Sequence, residues 1–364
     1  MIERCAIIGL GLIGGSLALA LKERHLAQHI CGVETNPENL RLALAAEAVH
    51  QAAGLQEAVT GADLVILAVP VGTIPGLLRE INLWLKPGAV VTDVGSTKKS
   101  IVSAAHEILR PDIHFIGGHP MTGGETFGFA GADPYLFENA FYLLTPTGAT
   151  NQAAKNLVCQ MVEGIGALMM EIPPDEHELI MAAISHLPHF VATTLVNAVI
   201  DMPVGNRALA LAAGGFRDTT RIAAGSPEMW RDIFIANRDC LLEALSSFRT
   251  AVAKLEEAIR AGNSEQIFQT LNEAGLVRRE LPSKPKGYLP NVYEVVVTVA
   301  DRPGAIAMLA RLLGDAGINI VEIEILRARE GYGGTIRVGF ASPDEQEKAC
   351  ELLRTKKIKC WPKA

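Results

Sequence analysis

The chain has 364 residues, more than one typical domain holds, so two or three domains are expected. Hydrophobic residues make up 49% and charged residues 20%, the balance of a folded globular protein rather than of a disordered or fibrous one. A net charge of −7 without a concentrated basic patch argues against nucleic acid as the main partner.

The six cysteines (Cys5, Cys31, Cys159, Cys240, Cys350 and Cys360) contain no CxxC pair. Their spacing suggests no zinc site, no other metal site and no disulfide framework, and a reducing cytoplasm fits them. Residues 1–4 lead straight into a strand without the basic-then-apolar pattern of a signal peptide. Apolar stretches are broken by His, Asp, Asn or Gly short of the roughly 20 residues that cross a bilayer, so no membrane partner is expected.

Along the chain, short β-branched runs at 5–9, 30–34, 64–70, 90–94, 114–119, 141–145 and 168–172 alternate with helical patterns. That alternation predicts a parallel sheet with crossover helices. The first strand leads directly into Gly9-Leu10-Gly11-Leu12-Ile13-Gly14, which opens a helix. In this setting the G-x-G-x-x-G spacing predicts a Rossmann dinucleotide site: Gly9 makes the tight turn, Gly11 admits the pyrophosphate and Gly14 lets the helix approach the strand. Glu34 follows Gly14 by twenty residues, where its carboxylate suits ribose hydroxyls and repels a 2′-phosphate, which favours NAD over NADP. Val69 and Pro70 end the third strand and Gly95-Ser96 the fourth, positions expected to line the nicotinamide side; Pro70 reads equally well as a simple strand-ending proline. His119, in Gly118-His119-Pro120-Met121, ends the fifth strand facing the same crevice and has the pKa range of a dehydrogenase base.

Beginning near residue 174 the pattern becomes helical, with stretches at 176–200, 207–213, 229–261 and 264–281. Here Ser185-His186-Leu187-Pro188-His189 places two histidines three apart, which suits satisfied helix histidines or substrate contacts better than a metal. Asp218 and Arg221 can pair on one helical face, and an arginine so held offers a planar fork to a carboxylate. A segment rich in Pro, Lys and Gly at 282–290 reads as a linker. The tail then reads strand 292–299, turn Asp301-Arg302-Pro303-Gly304, helix 305–316, strand 319–327, hairpin 331–334, strand 335–340, helix 343–355 and a last short strand. This βαββαβ order is a ferredoxin-like sandwich. The expected domains are therefore 1–173, 174–284 and 291–364, joined by a linker at 285–290.

The clusters Asp93-Val94-Gly95-Ser96-Thr97-Lys98, Gly118-His119-Pro120-Met121, Ser185–His189 and Arg217-Asp218-Thr219-Thr220-Arg221-Ile222-Ala223 with Met229-Trp230 resemble the prephenate dehydrogenase family, which includes arogenate and cyclohexadienyl dehydrogenases. The resemblance runs over essentially the whole chain. It implies that His119 takes the proton of the ring 4-hydroxyl, that Ser96 supports that hydroxyl, and that Arg221 binds the ring carboxylate. It also implies that Asp218 orients Arg221, that His189 and Trp230 line the ring pocket, that Glu125 sits at its mouth, and that the helical domain dimerises. Thr122 departs from the family's usual M-A-G-x-E loop. The tail resembles an ACT domain, with Asp301, Pro303, Gly304 and Asn319 as effector contacts and tyrosine as the natural effector. Prephenate and arogenate stay open as substrates. A β-hydroxyacid dehydrogenase is the rival enzyme, but its catalytic lysine has no counterpart at 176–201; a non-enzymatic sensor of NAD and an amino acid is the other rival.

Overall fold

The structure, a computed structural model, describes residues 2–123, 126–280, 293–299, 302–326 and 334–362. It divides into two compact units, Met1–Leu276 and Val277–Ala364.

The first unit begins with strands β1 (Ile2–Ile8), β2 (Ala27–Val33), β3 (Gln51–Ala52), β4 (Leu64–Leu67), β5 (Val90–Asp93), β6 (His114–Pro120), β7 (Phe141–Thr145) and β8 (Leu168–Glu171). They form one sheet in the order β3-β2-β1-β4-β5-β6-β7-β8. Alternate residues feed opposite faces. Ile7, Ile30, Leu64 and Ile66 pack with Leu17 and Leu21 of helix Leu12–Glu23, while Val65, Leu67 and Val91 pack with Ile74, Leu78 and Ile81 of the next helical layer. A sheet covered on both faces needs such continuous apolar strands.

Two features differ from the expected parallel seven-stranded sheet. β3 has two residues, too few for periodicity to reveal. β7 runs antiparallel to β6, and β8 follows β7 in parallel, so the last two strands oppose the other six. The cause lies in the connection: among its described residues, Met121–Ala140 carries a short 3₁₀ turn at Phe129–Gly131 and no crossover helix, and a chain returning without one arrives antiparallel.

The helical part begins with a run of 27 residues, Pro174–Ile200, which among the described residues is the helix long and apolar enough to cross a membrane by length and composition. It carries His177, Glu178, His186 and His189, all buried. These four polar side chains face the protein interior, while Leu179, Ile184 and Ile200 of the same run are exposed. A π-helical turn at Ala182–His186 interrupts it, a distortion common at functional sites. The stretch expected at 229–261 is broken into Pro227–Ala236 and Arg238–Arg260 by Asn237. Its buried amide donates to Glu178 O at 2.8 Å and pairs with His186 Nδ1 at 3.1 Å, so the break is held by side-chain bonds that helix periodicity does not report. The remaining helices are Gly205–Ala210, Gly214–Thr220 and Ser264–Glu280, with a 3₁₀ turn at Arg221–Ala224.

The second unit has β9 (Tyr293–Val299), β10 (Glu322–Leu326), β11 (Gly334–Phe340) and β12 (Cys360–Pro362), with helices Ala305–Asp315 and Pro343–Thr355. Its antiparallel sheet runs β10-β11-β9-β12, the ferredoxin-like order. Leu309, Leu313, Ala349 and Leu353 of the two helices cover Val295, Val297, Ile336 and Val338. The linker expected at 282–290 and residues 331–333 of the expected hairpin fall outside the described residues.

Candidate active site

The glycine turn is built by its surroundings. Gly9 has φ +93°, and a Cβ there would lie 2.2 Å from Ala68 O; at Gly14 it would lie 1.9 Å from Gly9 O. Only glycine lets strand, turn and helix close so tightly. At Gly11, by contrast, no atom lies within 4 Å of a built Cβ, which leaves the backbone open to a ligand at the start of helix Leu12–Glu23. Glu34 accepts from Leu10 N at 2.8 Å through one oxygen, and from Thr35 N at 2.7 Å and Asn36 N at 2.8 Å through the other. It therefore ties the glycine turn to the end of β2, a structural duty the sequence does not reveal. A carboxylate has about four acceptor positions, so capacity remains for a ribose hydroxyl. The open Gly11 backbone, the helix N-terminus and this carboxylate together fit an NAD dinucleotide. Val69 is half-buried and Pro70 is exposed, leading into the turn Val71–Thr73 at the same edge of the sheet.

A second concavity of about 310 Å³ lies between the carboxyl ends of β5 and β6 and the helical part, lined by Ser96, His119, Thr122, Ser185, Met229 and Trp230 among others. His119 Nδ1 lies 2.9 Å from Nε2 of the fully buried His177, which leaves Nε2 of His119 for the cavity. Burial holds the His119 imidazole well below its ordinary pKa, and the neighbouring His177, Lys98 and His186 reinforce the shift. His119 is thus held in its neutral form, with a ring lone pair open to a proton in transit. The Thr122 hydroxyl donates to Leu136 O at 3.2 Å, which braces the loop.

Underneath, a buried ion pair between Lys98 and Asp93 clamps the end of β6. Lys98 Nζ donates to Gly118 O at 2.7 Å, and Asp93 accepts from Gly95 N at 2.9 Å and Gly118 N at 3.3 Å. Glu178 accepts from the amides of Lys98 and Lys99, the latter at 2.8 Å, and so holds the loop bearing Ser96. Burial alone would raise the Glu178 carboxyl; contact with His177 and those two amides keeps it below the usual carboxylate range. The first turns of helix Pro174–Met181 therefore steady both Ser96 and His119.

Not every expected residue joins this cavity. Trp230 lines it, but His189 stands behind, stacked on the indole with ring centroids 3.7 Å apart, and His186 meets the same ring edge-on at 6.2 Å. Burial lowers the pKa of His189 and pushes that of His186 down to about 4, so His186 is a neutral structural partner of Asn237. Asp218 and Arg221 are exposed and do not line the cavity. No ion pair of the Asp218 carboxylate is seen among the described residues. Glu125 lies outside the described residues. Sequence reasoning missed His177, Glu178, Asn237 and the Asp93–Lys98 pair. The available signal was the placement of His177 and Glu178 three or four residues before the apolar Met181 and Ala182, on the helix's inward face.

In the second unit, Gly304 has φ +87° and caps helix Ala305–Asp315. Pro303 and Gly304 line a cavity of about 490 Å³ with Arg302, Thr298, Lys357 and Lys359. Asn319 is exposed and away from that lining, and Asp301 lies outside the described residues.

Comparison with known proteins matches residues 17–171 to the family model "Prephenate dehydrogenase, nucleotide-binding domain", 173–273 to "Prephenate dehydrogenase, dimerization domain" and 293–348 to "ACT domain". The chain is 36% identical to a prephenate dehydrogenase of Bacillus subtilis, across 98% of this chain and 97% of that one. Among solved structures, a prephenate dehydrogenase from A. aeolicus in complex with hydroxyphenyl propionate and NAD+ superposes with a TM-score of 0.73 at 31% identity, covering 78% of this chain and 99% of that one. An arogenate dehydrogenase from Synechocystis gives a TM-score of 0.68 at 31% identity, with 76% and 99% covered. With family models matching residues 17–171 and 173–273 and a relative 36% identical across 98% of the chain, the chain belongs to the prephenate dehydrogenase family.

Proposed function

We propose that the chain catalyses the oxidative decarboxylation of prephenate to 4-hydroxyphenylpyruvate and CO₂, with His119 as the base. NAD⁺, when bound at the Gly9–Gly14 turn and Glu34, supplies the hydride acceptor. As the C4–H electron pair departs as hydride, His119 Nε2 receives the proton of the 4-hydroxyl and the C4 carbonyl forms. Ser96 holds the hydroxyl oxygen. The ring carboxylate is then conjugated to that carbonyl, so the electron pair of the C–CO₂ bond moves through the ring to the oxygen as CO₂ leaves. His119 returns its proton to that oxygen, and no net proton is consumed. Aromatisation drives the step, which leaves the protein mainly the tasks of orientation and proton transfer.

The observation that carries this reading is His119 itself: a buried, neutral imidazole with one nitrogen tied down and the other left to a cavity shared with Ser96. Arg221 anchors the ring carboxylate through its guanidinium fork, and Trp230, backed by His189, forms the ring wall. The reading extends to a homodimer through the helical domain, to tyrosine as effector of the ACT unit, and to the cytoplasm, where the six free cysteines stay reduced. Domain boundaries at 173/174 and a linker at 285–290 complete it. The test is NADH formation with prephenate and with arogenate. A higher kcat/KM for prephenate is expected; a higher value for arogenate would reassign the substrate, and no turnover of either would refute the function.

A further inference from the structure

The contact between His119 and His177 joins two imidazoles from different layers of the protein, one at the end of β6 and one on the first turns of helix Pro174–Met181. A hydrogen bond of 2.9 Å between two neutral imidazoles needs one donor and one acceptor. If His119 is to offer a lone pair at Nε2, its own proton sits on Nδ1 and is donated to His177 Nε2. His177 must then carry its proton on Nδ1. That atom is buried, has no hydrogen-bond partner, and lies 3.7 Å from Glu178 Oε1. Glu178 is itself fixed by the amides of Lys98 and Lys99 and keeps its second oxygen without a partner. The three residues form a line from the cavity to a buried carboxylate.

We propose that His177 and Glu178 are positioning residues for the reaction: His177 locks the tautomer of His119 that presents a bare Nε2 to the cavity, and Glu178 balances the positive charge His119 acquires with the proton. The charged and titratable groups facing this line are Lys98 with its partner Asp93, His186, and Cys240 beside Glu178, its thiol kept neutral by burial. Lys98 is neutralised by Asp93, and His186 is held neutral by burial. Glu178 is therefore the counter-charge available to an imidazolium here. The low pKa of resting His119 agrees with a site that binds the proton only in transit.

This inference rests on the proposed function, and the experiment separates the two. Steady-state rates with prephenate and NAD⁺ are measured for the wild-type full chain and for His177→Ala, His177→Gln and Glu178→Gln, each checked for a wild-type thermal melt. Histidine ¹⁵N spectra of the protein without ligands report the tautomer of His119. Expected are a kcat lowered about 100-fold in His177→Ala with KM within about threefold, since loss of base orientation is a kcat effect. His177→Gln, which keeps an acceptor for His119 Nδ1–H, recovers at least about tenfold of that loss. Glu178→Gln lowers kcat about tenfold and moves the acid limb of its pH profile to lower pH, because a cation without its counter-charge is harder to form. The ¹⁵N spectrum of the wild type shows an unprotonated Nε2. A kcat within twofold of wild type in His177→Ala, no recovery in His177→Gln, an unmoved limb in Glu178→Gln, or a protonated Nε2 in the resting wild type would each overturn the proposal. Absence of turnover in the wild type would instead sink the functional reading.

Discussion

At the scale of single residues, the chemistry rests on groups whose surroundings settle their protonation. His119 was legible in the sequence because a histidine ending a strand at the sheet's carboxyl edge has few structural uses. His177 was not, because it lies in the run Asp175-Glu176-His177-Glu178, which reads as an acidic, solvated helix start. Its burial comes from tertiary packing 58 residues away from its partner. Arg221 is the reverse case: the motif points to it, while the structure leaves it on an exposed turn outside the cavity lining. Replacing Arg221 by Gln is expected to raise KM for prephenate about tenfold or more with kcat little changed, as for a lost carboxylate fork. An unchanged KM in initial-rate measurements would move the anchor to another cation, such as Arg217.

At the scale of elements, the sheet was read from its apolar runs, whereas the direction of β7 depended on a connection whose lack of a crossover helix is hard to recognise in sequence. That connection has a use. Phe129 lies against Gly15, the Asp133 amide donates to Ser16 Oγ at 2.9 Å, and the Phe129 amide donates to Asn39 Oδ1 at 2.9 Å. The segment after the His119 loop is thereby strapped to the helices that follow the glycine turn and Glu34. The turn itself tolerates no side chain at Gly9. Gly9→Ala combines a left-handed φ with a clash on Ala68 O, so a loss of about 2 kcal/mol or more in stability and a NAD⁺ affinity lowered at least about tenfold are expected. Denaturant unfolding and cofactor titration check both; wild-type values would mean the turn can open without cost.

At the scale of the whole molecule, the buried neutral histidines make stability depend on pH. His186 has its pKa lowered from 6.5 to about 4 by burial, so between those values the unfolded chain binds the proton that the folded one refuses. Stability is complete above 6.5 and falls as pH drops toward 4, by up to about 3 kcal/mol for this residue. The melting temperature should fall over that interval in the wild type and fall less in His186→Gln; parallel slopes would remove His186 from the account. The tail's ferredoxin-like order was legible from its motif and periodicity, and its regulatory role is tested by titrating activity with tyrosine in the full chain and in a chain lacking 291–364. Tyrosine inhibition only of the full chain is expected, and equal inhibition of both would put the effect at the catalytic cavity.

The most direct test is the single-turnover rate of 4-hydroxyphenylpyruvate formation from prephenate and NAD⁺ in wild type and His119→Asn. The variant should form product on the order of 10² to 10⁴ times more slowly while prephenate affinity stays within a few-fold of wild type. A rate within a few-fold of wild type at unchanged affinity would contradict His119 as the base and, with it, the mechanism built on this cavity.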